Sequence, residues 1–252
     1  MAKHPFLDTP HPIAFAHRGG TSIFPENTLR AFDDAVKLGF RYVETDVHAT
    51  SDGKLVAFHD NDLARTCSQP WKITETTWDV LQSARVNNTD AIPLLNEILN
   101  AWPDLRINID CKSDLAVEPL IKVLRDPLVR NRVCVGSFSG ARLHRIRSEF
   151  GRDLCTSMGP LEVARLVASS TIARRLGDFR HAMVAQIPLT QGPLPVTTTR
   201  LINRAHDMDL PVHVWTINNP QAIDRVLDMG VDGVMSDDTR ALKDVFITKN
   251  IW

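Results

Sequence analysis

The chain lacks paired cysteines, an excess of either charge, a basic block and a long apolar run, and each absence removes a class of protein. Its four cysteines, Cys67, Cys111, Cys134 and Cys155, are widely separated with no CxxC spacing. Three lie inside apolar, strand-like runs, so they read as reduced, buried thiols rather than a disulfide framework. The 29 basic and 30 acidic side chains nearly cancel, and no Lys/Arg cluster forms an electrostatic footprint for nucleic acid or an anionic membrane. The expected partner is therefore a small molecule. No stretch approaches the ~18 uninterrupted apolar residues that a membrane-spanning helix needs. The opening MAKHPFLDTPHPIAF carries early prolines and an aspartate where an export signal would be apolar, and the expectation is a cytoplasmic protein.

What is present is the composition of a globular chain, 43% hydrophobic and 23% charged over 252 residues. That length suits one closed α/β barrel, so residues 1–252 are read as one domain. A unit recurs from end to end: a short apolar run ends in polar residues and is followed by a segment of helical periodicity. Strands are predicted at 13–17, 42–47, 105–111, 132–138, 153–158, 182–187, 211–217 and 230–236. Helices are predicted from Thr28 to Leu38 before Gly39, after a Ser139 cap, and from Asn219-Pro220 to Gly230. Alternation of this kind implies parallel strands covered by helices, and the number of strands favours a TIM (β/α)8 barrel over an open sheet. The rhythm breaks once. Ser51-Asp52-Gly53 predicts a hairpin returning through KLVAFHD, followed by a short insertion at about 61–90 over one barrel rim.

In such a barrel the loops after the strands carry the chemistry. The first strand ends in His17-Arg18-Gly19-Gly20, where the arginine offers a fork for phosphate oxygens and the glycines permit close approach to a ligand. A strand cap with a surface ion pair is the alternative. Glu44 and Asp46 are two residues apart and so emerge on one face of the second strand, pointing into the barrel. Two buried carboxylates need a compensating cation, either a hard divalent ion or an arginine partner. Asp110 and Lys112 repeat the spacing on the third strand, as a further ligand and an anion contact or as an ion pair with each other. Of nine histidines, His17 and His59 fall where strand ends converge. His48 continues the Glu44/Asp46 face as a supporting group, and His213 shares a face with Trp215 and fills the interior. His4, His11, His144, His181 and His206 take ordinary surface or core roles. Trp215, near a strand end, either walls a pocket or fills the barrel.

The ordered set AHRGG (16–20), PENT (25–28), ETDV (44–47), SDG (51–53), FHD (58–60), DLART (62–66), IPLLNEIL (92–99), NIDCK (108–112), SFS (137–139), VWTIN (214–218) and GVDGVMSDD (230–238) resembles the glycerophosphodiester phosphodiesterase family along nearly the whole chain. The resemblance implies a TIM barrel that hydrolyses glycerophosphodiesters to sn-glycerol 3-phosphate and an alcohol, using one divalent ion, Mg²⁺ or Ca²⁺. It assigns His17 and His59 as the acid/base pair, and Arg18, Lys112 and Trp215 to the substrate. Glu44, Asp46 and Asp110 become the metal ligands, and Asp110 departs from the Glu usual in that family. A lysophospholipase D and a catalytically silent phosphodiester-binding barrel are the alternatives. The protein is expected as a monomer or homodimer without stable membrane insertion. Which histidine is the acid, and whether water or the glycerol hydroxyl attacks first, are both open at this level.

Overall fold

A computed structural model describes residues 4–10, 12–172, 179 and 181–252; His11 lies outside them. Eight parallel strands form the frame: β1 (Ile13–Ala16), β2 (Tyr42–Ala49), β4 (Arg106–Cys111), β5 (Val133–Gly136), β6 (Cys155–Thr156), β7 (Ala185–Pro188), β8 (Val212–Trp215) and β9 (Gly233–Ser236). A ninth, β3 (Leu55–Ala57), folds back on β2. Neighbours along the sheet run β6-β5-β4-β2-β1-β9-β8-β7. The ring closes between β6 and β7 through one parallel bridge, Ser157 with Val184. Two backbone hydrogen bonds secure that bridge: Met183 N–H donates to Thr156 O at 2.9 Å and Met158 N–H to Val184 O at 3.0 Å. The fold is the expected TIM (β/α)8 barrel.

Each frame strand is followed by a helix: α1 (Leu29–Lys37), α2 (Leu95–Ala101), α3 (Val117–Leu124), α4 (Gly140–Phe150), α5 (Pro160–Ile172), α6 (Thr199–His206), α7 (Pro220–Asp228) and α8 (Thr239–Thr248). Ser139 caps its helix as expected, and the helix starts predicted at Thr28 and Asn219 are capped too. Thr28 Oγ1 accepts from Ala31 N–H at 3.2 Å, Ser139 Oγ from Arg142 N–H at 3.4 Å, and Asn219 Oδ1 from Ala222 N–H at 3.0 Å. The strand predicted at 153–158 shortens to Cys155–Thr156 because residues 151–153 are taken by a tight 3₁₀ turn. The one at 182–187 becomes Ala185–Pro188. The seam of the barrel is therefore its thinnest part.

Alternation along the strands sorts side chains between two compartments. Outward residues such as Val43, Val47, Ile107, Ile109, Val133, Val135, Val212 and Val214 join the main core between sheet and helices. Inward residues form a vertical gradient. Phe15, Tyr42, Cys134, Cys155 and Met235 pack with Phe6 and Leu7 at one end, where the 3₁₀ turn Pro5–Leu7 closes the barrel and Tyr42 Oη donates to Phe6 O at 2.7 Å. Amides come next, with Gln186 Nε2 reaching across to Asn108 Oδ1 at 2.8 Å. Glu44, Asp46 and Asp110, all buried, cap the stack at the strands' C-terminal end.

The hairpin forms as expected, β3 pairing antiparallel with β2 through Val47–Ala57, His48–Val56 and Ala49–Leu55. Gly53, at φ 80°, makes the turn. The insertion holds itself together with a small core of Val56, Phe58, Leu63, Cys67, Ile73, Leu81, Ala84, Val86 and Ile92, against which Trp71 and Trp78 rest.

Candidate active site

The site grows from the parallel register of β2 and β4, which sets Asp46 beside Asp110 and Glu44 beside Asn108. Their spacing and inward direction are as predicted, and the surrounding loops supply the compensating charge. Lys112 Nζ lies 3.0 Å from Asp46 Oδ1 and 2.9 Å from Asp110 Oδ2. Arg18 Nε lies 3.4 Å from Asp46 Oδ2, and Arg18 N–H donates to Glu44 Oε2 at 3.1 Å. The ion pairs raised as alternatives thus exist, between Asp46 and Arg18 and between Asp110 and Lys112, with the carboxylates buried and the cations half-buried.

These charges act unequally. Burial and the neighbouring Asp46 carboxylate push Glu44 up to about 8. Burial works on Asp46 in the same direction, but Lys112 and Arg18 overcome it and hold this acid below its ordinary range. Asp110 is raised by burial, and its Oδ1 is buried without a hydrogen-bond partner. Lys112 is raised because Asp46 and Asp110 outweigh its burial.

The two histidines share one device. His17 Nδ1 is 2.7 Å from Asp237 Oδ1, and His59 Nδ1 is 2.7 Å from Asp60 Oδ1. Asp237 also accepts from Asn218 Nδ2 at 2.8 Å. Burial works to raise Asp237 and Asp60, yet hydrogen bonds from their partners leave both below the ordinary range. Ionised carboxylates only accept, so each Nδ1 carries the proton and each Nε2 is free for chemistry. His17 Nε2 lies 3.6 Å from Glu44 Oε2. His59 stands near enough to Asp46 and Asp110 that its protonated form would favour their ionised forms.

The Gly19-Gly20 pair is required by the backbone itself. Both have positive φ, and a Cβ on Gly19 would meet Phe32 Cδ1 at 2.9 Å, one on Gly20 Thr239 Cγ2 at 2.6 Å. They let the loop turn sharply against α1 and α8, which aims His17 and Arg18 at the carboxylates. His48, buried, contacts the His59 carbonyl through Nε2 at 3.2 Å, and burial lowers its pKa. His213 is buried beside Phe15, with ring centres 4.9 Å apart. Trp215 is half-buried and meets Phe138 edge-on at 5.7 Å.

Four contributors lie inside the quoted motifs but were given no role there. For Asp60 the available signal was a carboxylate directly after His59, and for Asp237 a carboxylate directly after the last strand. Asn27, at φ 56°, donates to Asp46 Oδ2 at 3.0 Å and accepts from Thr45 Oγ1 at 2.8 Å. Glu26 accepts from Arg18 at 3.0 Å. A cavity of about 440 Å³ opens over this end of the barrel, lined by His59, Asp110, Lys112, Phe138 and Arg142 among others. Among the described residues, no three His, Cys, Asp or Glu side chains converge on one point as a metal cage.

Half-buried Arg18 and Lys112 and two aspartate-held imidazoles gather at the C-terminal end of the strands, which sets this chain in the class of (β/α)8 barrels whose polar site lies in the loops after the strands. Comparison with known proteins narrows that class. A Mycobacterium tuberculosis relative named "Probable glycerophosphodiester phosphodiesterase 2" is 38% identical over 248 residues, covering 95% of this chain and 92% of its own. A solved structure from Silicibacter pomeroyi matches with a TM-score of 0.80 at 22% identity, over 96% of both chains. An Oleispira antarctica phosphodiesterase, solved with the product sn-glycerol-3-phosphate, matches at 0.77 and 19% identity, covering 94% of this chain and 97% of its own. Residues 17–241 match the glycerophosphoryl diester phosphodiesterase family, and the chain belongs to it.

Proposed function

We propose that this protein hydrolyses glycerophosphodiesters to sn-glycerol 3-phosphate and an alcohol, with His17 and His59 as the proton-transfer pair. The observation that carries the reading is the pair of Asp-held imidazoles flanking a carboxylate cluster bridged by Lys112 and Arg18. A phosphodiester accumulates negative charge on its equatorial and leaving oxygens as it reacts. Arg18 and Lys112 neutralise that charge, one histidine takes the proton from the nucleophile, and the other supplies the proton that the departing alkoxide needs. Trp215 packs against the substrate's apolar edge.

Glu44, Asp46 and Asp110 suit a hard divalent ion, Mg²⁺ or Ca²⁺, in donor chemistry. All are oxygen donors, Asp110 Oδ1 has no other partner, and Glu44 is pushed so high that it needs a proton or a cation beside it. Such an ion, when bound, supplies further positive charge to the phosphate oxygens.

The test is incubation of the purified protein with glycerophosphocholine and related diesters, with and without chelator, while glycerol 3-phosphate is measured. Release that chelator abolishes and added Mg²⁺ or Ca²⁺ restores is the expected outcome. No release with any divalent ion refutes the activity. A lysolipid belongs in the same assay, because Phe138 is 65% exposed beside Trp215 and offers apolar surface at the cavity mouth.

A further inference from the structure

Arg65 lies in the short helix Ala64–Cys67 of the insertion and lines a second cavity of about 510 Å³, between the first βα loop and the insertion. Its guanidinium joins two carboxylates. Nε donates to Asp60 Oδ2 at 2.5 Å, and the two terminal nitrogens donate to both oxygens of Glu26 at 3.0 and 2.6 Å. The other Asp60 oxygen meets His59 Nδ1 at 2.7 Å, while Glu26 Oε1 also accepts from Arg18 at 3.0 Å. A continuous chain of charge-assisted hydrogen bonds therefore runs from His59 through Asp60, Arg65 and Glu26 to Arg18.

We propose that Arg65 is a positioning residue, which acts through Asp60 to hold His59 in one tautomer and one orientation and through Glu26 to tie it to Arg18. This rests on the reading of His59 as a proton-transfer group. The need for such a clamp follows from exposure. The His17 side chain is 14% exposed and its aspartate is steadied by a neutral amide. The His59 side chain is 33% exposed and its partner Asp60, 25% exposed, is the next residue in a loop. A hydrogen bond that open to water orients little by itself. The main chain at His59 is already secured by the bond between His48 Nε2 and the His59 carbonyl, and by Phe58 N–H donating to Asp46 O at 3.0 Å. What remains to be fixed is the imidazole, and the planar arginine fork fixes the aspartate that holds it.

A natural control lies alongside. Arg30 pairs with Asp90 at 2.6 Å, again tying the first βα segment to the insertion, but neither residue touches His59. A merely structural bridge would give both arginines the same effect. The full-length protein and its Arg65→Ala, Arg65→Lys and Arg30→Ala variants are compared in glycerophosphocholine hydrolysis and in ¹⁵N NMR of the histidine rings. Arg65→Ala should lower kcat about 10–100-fold, with KM changed less. Arg65→Lys should recover part of the loss, because the charge survives and the fork does not. Added guanidine should partly rescue Arg65→Ala, and Arg30→Ala should retain normal kcat. His59 should appear as the Nδ1-protonated tautomer in the parent and as a mixture in Arg65→Ala. An unchanged tautomer in Arg65→Ala, or an equal loss in Arg30→Ala, overturns the proposal. If the parent protein releases nothing from any diester, the proposed activity fails, while the tautomer measurement still decides the role of Arg65.

Discussion

Each imidazole in the site gives one nitrogen to an aspartate, and the surroundings of the two pairs differ. His17 has the deeper seat: burial works against its charge, but Glu44 and the Asp237 hydrogen bond outweigh burial and raise its pKa. Asp237 is lowered by the same contact. The signs set a pH window. A lowered acid contributes stability above its ordinary value of 3.8 and loses it as pH falls through the lowered one; a raised histidine contributes below 6.5 and loses it as pH rises through the raised one. The pair therefore stabilises most between about pH 4 and 6.5, and Asp237→Asn should flatten the acid limb of a plot of unfolding free energy against pH. The same variant presents an amide to His17 Nδ1, favours the wrong tautomer and should lower kcat at least about 100-fold with the fold intact by circular dichroism. His17→Ala and His59→Ala should each cost about 10²–10⁴-fold in kcat. Normal turnover in both would refute the proton-transfer scheme even if the activity stood.

Helix α1 shows how an element positions chemistry it does not itself perform. Thr28 is buried, caps the helix, and donates to Pro25 O at 2.8 Å, which folds Glu26 and Asn27 back over the carboxylates. Thr28→Ala should cost about 1 kcal/mol in urea unfolding and should also reduce turnover, since Asn27 loses its fixed aim at Asp46. The helix beginning at Thr28 was legible from its apolar periodic run. The role of Asn27 was not, because it depends on a left-handed backbone at φ 56° and on a strand 19 residues away. The insertion followed the same pattern. Its irregularity showed in the sequence, whereas its private core around Leu63, Ile73 and Leu81 appears only once the segment has folded.

At the scale of the molecule, the gradient inside the barrel places apolar groups at one end and charges at the other. Cys134 and Cys155, register partners on β5 and β6, lie in the apolar part, and Cys111 faces the outer core. Burial pushes the Cys111 thiol up to about 12 and Cys155 well above its ordinary value. All four cysteines are buried, so a thiol reagent at pH 8 should label none rapidly in the folded protein and all four after denaturation. The opposite end predicts a pH effect on the proposed divalent ion. Because Glu44 is raised to about 8, a proton competes for the site below that pH, and affinity should rise from pH 6 to 8 and then level off. Titration calorimetry with Ca²⁺ or Mg²⁺ at those pH values checks it, and flat affinity would remove Glu44 from the ligand set.

By itself, the sequence determined the barrel and the identity of most charged groups in its mouth, because strand alternation and the order of strand ends are local properties. Glu44, Asp46, Asp110 and Lys112 were legible from two-residue spacing alone. Only the tertiary structure decided how those charges are shared: Lys112 between Asp46 and Asp110, Glu26 between Arg18 and Arg65, Asp237 on a histidine 220 residues away. Hydrogen bonds and Coulomb forces depend on distance in space and on burial, and closing the ring is what brings the first strand against the last.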